Sequence, residues 1–349
     1  MSTFRFSYGL LVVVAAALGS FGSACGDDET GAGSPSSSAT SSGSGGSGGE
    51  GGAGGQGGMG GAGGGMGGAG GGSADCDNIP AGPFEPQVFI DVFNGSEDIA
   101  FDGKGHIVGK AQQAIVLADA AGVTTPLAMN VPPALGLRYQ MDGSLVVALY
   151  NEGKVAEVSP QGVLTDLVTG VVAPNGLYPD FDGNVWMTEI GANRVSRINP
   201  DDSVDVIVMG AEATEPNGIL LDANRKLLFY STYSEGRIRS VDMSAGGAPP
   251  PKEVATVPDS SLDGLVMDAC GHLYVVDQKD SELFRVKLDA AGAAVGQPEL
   301  LAKFPKNVAN AQFGSGAGFD SKTLYAAGNP GTVYAVPVGV AGAPVPTPP

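Results

Sequence analysis

The stretch that decides the fold is NGLYPDFDGNVWMTEIGANRVSRINP (175–200), because its pattern recurs along the chain. The clearest copies are NGILLDANRKLLFYSTYSEGRIRSVD (217–242) and DGLVMDACGHLYVVDQKDSELFRVKL (263–288), and fainter copies begin at Glu97, Leu135 and Gly314. Each copy holds a short apolar stretch, a tight turn and two β-rich runs. A period of about 40–50 residues in an all-β chain is typical of a β-propeller blade.

The sequence therefore predicts an all-β fold, a six-bladed β-propeller with four-stranded antiparallel blades. The last copy offers only three strands, read as GAGFD, TLYAAG and TVYAVPV. We expect the earlier segment Gln87–Phe93 to supply the fourth strand, because joining the chain's two ends in one blade removes open sheet edges.

The regions outside the repeats have simpler compositions. Residues 1–24 are predicted to be an export signal, since a short apolar run follows Arg5. Residues 25–75 are rich in Gly and Ser and are expected to be a flexible tether. The propeller is predicted over 76–340, and a Pro-rich tail, 341–349, is expected to be loose. The net charge of −19 makes nucleic acid an unfavourable partner.

The three cysteines suit an exported protein. Cys25 follows small residues at the end of the apolar run, which resembles a bacterial lipoprotein signal, although Gly22 departs from the usual Leu or Val. The prediction is a lipid-anchored protein of the cell envelope, touching membrane only through that anchor; ordinary cleavage that leaves a free thiol is the alternative. Cys76 and Cys270 then remain as a candidate disulfide or as two unpaired thiols.

The turn of each repeat provides a common register. The turn residues are Gly105, Gly143, Gly183, Arg225, Gly271 and Lys322. Eight residues before them, at the predicted start of each innermost strand, stand Glu97, Leu135, Asn175, Asn217, Asp263 and Gly314. These starts gather around one mouth of the central channel. Four of the six carry a side-chain oxygen, which predicts a site for a hard divalent cation. The alternative is that Asn-Gly and Asp-Gly are ordinary turn dipeptides.

The motifs SEDIAFDGKGHIVG, APNGLYPDFDGNVWMTE, EPNGILLDANRKLLFYS and SLDGLVMDACGHLYVVD resemble the SMP-30/gluconolactonase/LRE-like family of six-bladed propellers. The resemblance covers about residues 95–340. It implies one divalent metal, with calcium expected ahead of magnesium, manganese or zinc, bound by Glu97, Asn217 and Asp263. Asn175 would contact the substrate or a metal-bound water.

The resemblance further implies hydrolysis of a small lactone or ester by a monomer, with metal-activated water and Asp263 as general base. Two positions depart from the sugar-lactone members. Ala173 stands where an Arg is common, and Gly176 stands where an Asp is common. These two departures leave open which substrate is used and whether the protein has kept its catalytic activity.

Two other functions compete with this one. A tethered propeller can be a binding or scaffold protein without catalysis. The repeat also resembles streptogramin lyases, which use a catalytic His. His106 and His272 each directly follow a turn glycine, so both are expected in blade turns, away from the ring of oxygen donors.

Overall fold

The computed structural model describes residues 76–244 and 249–349. It is an all-β, six-bladed β-propeller, as the repeats predicted, and each blade is a four-stranded antiparallel sheet. The predicted export signal, Cys25 and the tether lie outside the described residues. Within the described ranges, no helix has the length and hydropathy that a membrane span requires.

Strands are numbered in chain order, and each of the first five blades runs from its innermost to its outermost strand. The first three blades are β2–β5 (Ala100–Phe101, Ile107–Ala111, Ala114–Ala118, Thr124–Met129), β6–β9 (Leu137–Tyr139, Leu145–Leu149, Lys154–Val158, Leu164–Thr169) and β10–β13 (Pro174–Pro179, Val185–Glu189, Arg194–Ile198, Val204–Met209). The next two are β14–β17 (Pro216–Asp222, Leu227–Thr232, Arg237–Asp242, Lys252–Thr256) and β18–β21 (Leu262–Met267, Leu273–Asp277, Glu282–Val286, Glu299–Lys303). Short 3-10 helices span Tyr150–Glu152, Ile190–Ala192 and Gly210–Ala213.

The sixth blade closes the ring with both ends of the propeller. It contains β22 (Asn310–Phe313), β23 (Thr323–Ala327), β24 (Val333–Pro337) and, as its outermost strand, β1 (Gln87–Ile90). Strand β1 runs antiparallel to β24, with Val88 opposite Tyr334. The predicted closure by the N-terminal segment is therefore confirmed.

The innermost strand of blade 6 differs from the prediction. It is Asn310–Phe313, whereas GAGFD (316–320) belongs to the connection that follows it. That connection spans 314–322, nine residues, whereas the matching connection in blade 5 spans 268–272, five residues. Counting eight residues back from Lys322 therefore falls short of the strand. Gly314 is not the equivalent of Asp263.

Six clusters of buried apolar side chains hold the blades together, and each cluster lies between two neighbouring blades. Between blades 3 and 4, for example, Trp186 packs in one cluster with Tyr230. The indole N–H of Trp186 donates to the Asp180 carboxylate at 2.9 Å, so its only polar atom is satisfied.

The innermost strands approach one another very closely at four glycines. A Cβ atom at Gly136, Gly176 or Gly218 would lie 2.1–2.3 Å from the carbonyl oxygen of Asn175, Asn217 or Asp263 in the next blade, and one at Gly264 would lie 2.2 Å from Asn310 Oδ1. Such distances exclude any side chain. The Asn-Gly and Asp-Gly pairs are therefore parts of strands β10, β14 and β18 and not turn dipeptides. Their glycines are required because the next blade leaves no room for a Cβ atom.

The first residues of the C-terminal tail are bonded to the propeller, whereas the sequence predicted a loose tail from 341 onward. The Ala269 N–H donates to Ala341 O at 2.8 Å, and the Ala343 N–H donates to Met267 O at 2.9 Å. Gly342 forms an isolated bridge with Asp268. These bonds fix the start of the tail on blade 5.

The N-terminal residues before β1 are anchored to blade 5. Cys76 and Cys270 form a disulfide with their Cα atoms 5.5 Å apart. The buried Arg285 guanidinium donates to Pro80 O at 3.0 Å, and the Gly82 N–H donates to Glu299 Oε1 at 2.9 Å. Blade 5 thus holds the segment that leads into the ring-closing strand of blade 6.

We predict that replacing both cysteines, Cys76→Ser with Cys270→Ser, lowers the free energy of unfolding by about 2–4 kcal/mol. The disulfide closes a sequence separation of 194 residues, so its loss frees a large loop in the unfolded chain. Urea denaturation followed by tryptophan fluorescence measures the change. Wild type in reducing agent should match the double variant, and equal stability of oxidised wild type and variant would contradict the prediction.

Candidate functional site

The candidate site lies where the innermost strands begin, at one mouth of the channel. Asn175, Asn217 and Asp263 are each the second residue of the innermost strand of their blade, in β10, β14 and β18. The structure thus places them at equivalent positions in three consecutive blades. Blade 6 presents Ala309 at this level, because the Gly264 N–H donates to Ala309 O at 2.9 Å.

Hydroxyl groups on the neighbouring strands link these positions. The Gly176 N–H donates to Thr188 Oγ1 at 2.8 Å, and that hydroxyl donates to Asn217 O at 2.6 Å.

Blade 4 repeats the arrangement. The Gly218 N–H donates to Ser231 Oγ at 2.7 Å, and this hydroxyl donates to Asp263 O at 2.8 Å. The backbone of Asn217 and that of Asp263 are therefore each held by the preceding blade.

Three carboxylates lie close together at this mouth. Burial raises the pKa of the Asp263 carboxyl well above its ordinary value, and the negative charges of Glu97 and Asp98 raise it further. Burial also raises the pKa of Glu97, with Asp98 adding to the effect. Only blade 6 separates blades 1 and 5 in the ring, and the negative charge of Glu97 acts on Asp263 from the other side of blade 6.

Asp98 differs from the other two carboxylates because it is paired. Its Oδ1 accepts the Ile99 N–H and its Oδ2 accepts the Leu137 N–H, both at 2.9 Å. Arg138 Nη1 forms an ion pair with the same carboxylate. Burial still raises the pKa of Asp98, although Arg138 and these backbone donors oppose the shift. Among the described residues, Glu97 and Asp263 have no comparable donor to their carboxylates.

The sequence analysis missed Asp98 and Arg138. The available signal was the motif SEDIAF, in which Asp98 occupies the position that blades 2–5 fill with glycine. A carboxylate at a position that is otherwise glycine indicates that blades 1 and 2 meet through a side chain. The Asp98 carboxylate makes that contact with the Leu137 N–H and with Arg138.

Asn217 has an unsatisfied oxygen. Its side chain is only 3% exposed, and its Oδ1 has no hydrogen-bond partner among the described residues. A buried carbonyl oxygen without a donor costs roughly 1–3 kcal/mol. A positively charged or hydrogen-bonding ligand at this mouth would remove that cost.

Asn175 and Tyr233 flank the same space. Asn175 is half-buried at the position next to Asn217. Tyr233 donates its hydroxyl to Gln278 Oε1 at 2.6 Å. Burial raises the pKa of the Tyr233 phenol, and the negative charges of Asp263 and Glu97 raise it further. Tyr233 is therefore close enough to both carboxylates to feel their charge.

The donor set fits a hard cation only when amide oxygen is included. Over 76–244 and 249–349, no three His, Cys, Asp or Glu side chains form a cluster that could hold a metal ion. A cation at this mouth would thus depend on Glu97, Asp263 and the orphaned Asn217 oxygen together with water. Oxygen-only sets of this kind suit Ca²⁺ or Mg²⁺.

The two histidines lie where the sequence predicted. His106 Nδ1 contacts Asp102 Oδ2 at 2.7 Å within a turn of blade 1. His272 lies in a turn of blade 5, and its Nδ1 accepts the Leu288 N–H at 3.0 Å. Both turns follow the far ends of innermost strands, so neither ring reaches the mouth that carries Asp263.

We predict opposite effects on stability for two neutralised carboxylates when chelator is present. Asp263→Asn should raise the free energy of unfolding by on the order of 1 kcal/mol, because it removes a buried, unpaired charge beside Glu97. Asp98→Asn should lower it by about 3 kcal/mol, because Arg138 loses its partner. Thermal and urea denaturation in EDTA measure both, and destabilisation by Asp263→Asn would count against the repulsion described above.

Comparison with known proteins supports the fold. No family model and no curated protein sequence matches the chain. Among solved structures, a gluconolactonase from Xanthomonas campestris has a TM-score of 0.61 at 18% identity, covering 74% of this chain and 98% of that protein. A luciferin-regenerating enzyme gives 0.60 at 17% identity, covering 73% and 95%.

A streptogramin B lyase gives a TM-score of 0.53 at 15% identity, covering 70% of this chain and 84% of that protein. Identities this low show the fold alone. The resemblance to gluconolactonase-like propellers that the repeats indicated therefore holds at the level of architecture.

Proposed function

We propose that the protein is a hydrolase of lactones or related esters that uses one divalent cation at the channel mouth. The observation that carries the proposal is the orphaned Asn217 oxygen beside two carboxylates without hydrogen-bond donors. Without a ligand, this arrangement concentrates negative charge and an unsatisfied dipole in a buried place. A cation would relieve all three groups at once.

Glu97, Asn217 and Asp263 would hold the cation, and calcium is the metal best suited to oxygen ligands from irregular positions. Such an ion would polarise a carbonyl oxygen and lower the pKa of a bound water.

Within this proposal, Asp263 is the general base. It is buried, and no described residue donates a hydrogen bond to its carboxylate, so it is free to accept a proton. As water attacks the lactone carbonyl, the new C–O bond forms and the proton passes to Asp263. The ring C–O bond then breaks, and the proton goes to the departing oxygen to give a hydroxy acid. Asn175, at the edge of the site, would orient the substrate.

The fold comparisons add support of a general kind. Two of the similar structures are a gluconolactonase and a luciferin-regenerating enzyme. The alternative suggested by streptogramin B lyase is weaker, because His106 and His272 are committed to turns at the other end of the channel.

A second candidate is a binding protein that keeps the cation but has no turnover. The observation that favours it is Ala173, which stands two residues before Asn175 in a left-handed backbone conformation (φ 51°) and presents only a methyl group. A polyhydroxylated substrate would find no charged anchor there.

We expect the wild-type protein with CaCl₂ to hydrolyse at least one member of a panel of γ- and δ-lactones. Asp263→Asn should lower kcat by about 100-fold or more, because a general base contributes roughly that factor. A pH-indicator assay measures the acid released. The matched control is Asp259→Asn, in the connection that leads into the same blade, whose exposed carboxylate pairs with Lys279; its turnover should equal wild type.

Equal turnover by wild type and Asp263→Asn would remove Asp263 from the mechanism. Calcium binding without turnover of any lactone would favour the binding protein.

A further prediction concerns the amide ligand. Asn217→Leu has nearly the same volume and removes the orphaned oxygen, so the chelated protein should be at least as stable as wild type. Calcium affinity measured by titration calorimetry should fall by about tenfold or more. Unchanged affinity would show that Asn217 is not a ligand.

A further inference from the structure

The propeller contains a cavity of about 870 Å³ that does not lie at the mouth that carries Asp263. It lies at the other end of the channel, where the innermost strands finish, and none of Glu97, Asn217 and Asp263 lines it. Along β18 the lining begins at Leu265, two residues or about 7 Å beyond Asp263, and continues past Met267, four residues or about 13 Å beyond it. The cavity therefore shares no lining residue with the three candidate cation ligands.

The walls of the cavity are mostly apolar and aromatic. All six blades contribute, through Phe101, Tyr139, Tyr178, Leu220, Leu265 and Phe313 among others. Its volume lies within the range of pockets that hold small organic molecules, about 300–1,000 Å³. A cavity with such walls is suited to a ligand whose surface is mostly apolar.

One polar group in the wall lacks a partner. Gln312, on strand β22, is 8% exposed, and its Nε2 has no hydrogen-bond partner among the described residues. A buried amide donor without an acceptor is costly. A ligand oxygen placed against Gln312 would satisfy it.

The charges around the cavity disfavour an anionic ligand. Four carboxylates border it: those of Asp180, Asp222 and Asp268 already accept bonds from Trp186, Arg225 and Tyr274, and that of Asp182 is exposed to solvent. Arg138 also borders it, but its guanidinium is paired with Asp98. A neutral molecule therefore fits better than a carboxylate or phosphate.

The C-terminal residues cover the opening. We call 341–347 the strap. It is bonded to blade 5 at Met267 and Ala269, crosses the end of the channel, and reaches Gly103 of blade 1 with Thr347. Gly342 passes so close to Phe313 that a Cβ atom there would lie 2.5 Å from the phenylalanine Cβ.

Beyond Ala343 the strap makes no backbone–backbone hydrogen bond to the described residues. Pro344 and Pro346 also lack the N–H that such a bond needs. The distal part of the strap can therefore move aside more easily than a strand.

We propose that this cavity is a binding site for a neutral, largely aromatic small molecule with one hydrogen-bond-accepting oxygen, enclosed by the strap. The apolar walls hold the body of the ligand, Gln312 binds its oxygen, and the strap controls entry. The site does not depend on the hydrolase proposal, because it uses other residues at the other end of the channel.

The test uses 6-propionyl-2-(dimethylamino)naphthalene, a neutral fluorophore with one ketone oxygen whose emission shifts to the blue outside water. Wild type should bind it saturably at one site. Gln312→Leu should weaken binding about fivefold, the effect of losing one hydrogen bond. The same variant should bind the 6-propyl analogue, which lacks the oxygen, at least as well as wild type does.

Two control variants locate the site. Gln140→Leu should leave the affinity unchanged, because that amide is already bonded to Ser144 and Glu157 and does not line the cavity. Asp263→Asn should also leave it unchanged. Deleting 344–349 should speed both association and dissociation of the fluorophore.

Near-UV circular dichroism tests whether each variant is folded. If Gln312→Leu is not folded, Gln312→Met takes its place. Absence of saturable binding to wild type would overturn the proposal. Equal affinity of wild type and Gln312→Leu for the ketone fluorophore would also overturn it. So would a loss of affinity in Asp263→Asn without a loss in Gln312→Leu.

Discussion

The contact between innermost strands at Gly136, Gly176, Gly218 and Gly264 constrains the rest of the structure. At each glycine the next blade comes so close that no Cβ atom fits, so the relative height of neighbouring blades is set at the channel wall. Hydroxyls at Thr188 and Ser231 fix the same height through hydrogen bonds to the next blade. The residues before these glycines are thereby held at the same position along the channel axis. The apolar interfaces between blades lie farther from that axis.

The two ends of the channel use this scaffold differently. At the end where the strands begin, acidic and amide side chains lie together in buried positions, and of the acidic groups there Asp98 alone has a cationic partner among the residues that the structure describes. At the other end the carboxylates of Asp180, Asp222 and Asp268 accept hydrogen bonds from residues of their own blades, and mostly apolar walls enclose a cavity. Arg138 lies between them, paired with Asp98 and bordering the cavity. The buried carboxylates of Glu97 and Asp263 have no cationic partner among the described residues, whereas three of the carboxylates at the cavity are hydrogen-bonded, and the two ends therefore suit ligands of opposite character.

Much of this could be predicted from the repeats. Turn glycines gave the register of blades 1, 2, 3 and 5, since Gly105, Gly143, Gly183 and Gly271 all adopt positive φ. The register failed in blade 6, where a longer connection displaced the count and Gly314 was taken for a strand start. Asp98 and Arg138 were missed because pairing between blades depends on the distance between strands, which a repeat pattern does not contain. The strap was missed because a proline-rich composition does not reveal packing against an apolar opening.

The disulfide between Cys76 and Cys270 has a mechanical consequence. Strand β1 is the outermost strand of blade 6, and β24 is the one described strand that it pairs with, so a pull along the chain from its N-terminal side would otherwise peel this strand away first. The disulfide lies ahead of β1 in the chain and ends on blade 5. Tension applied before Cys76 therefore passes through a covalent bond into a neighbouring blade and bypasses β1. The propeller can bear load from its N-terminal side without opening its ring.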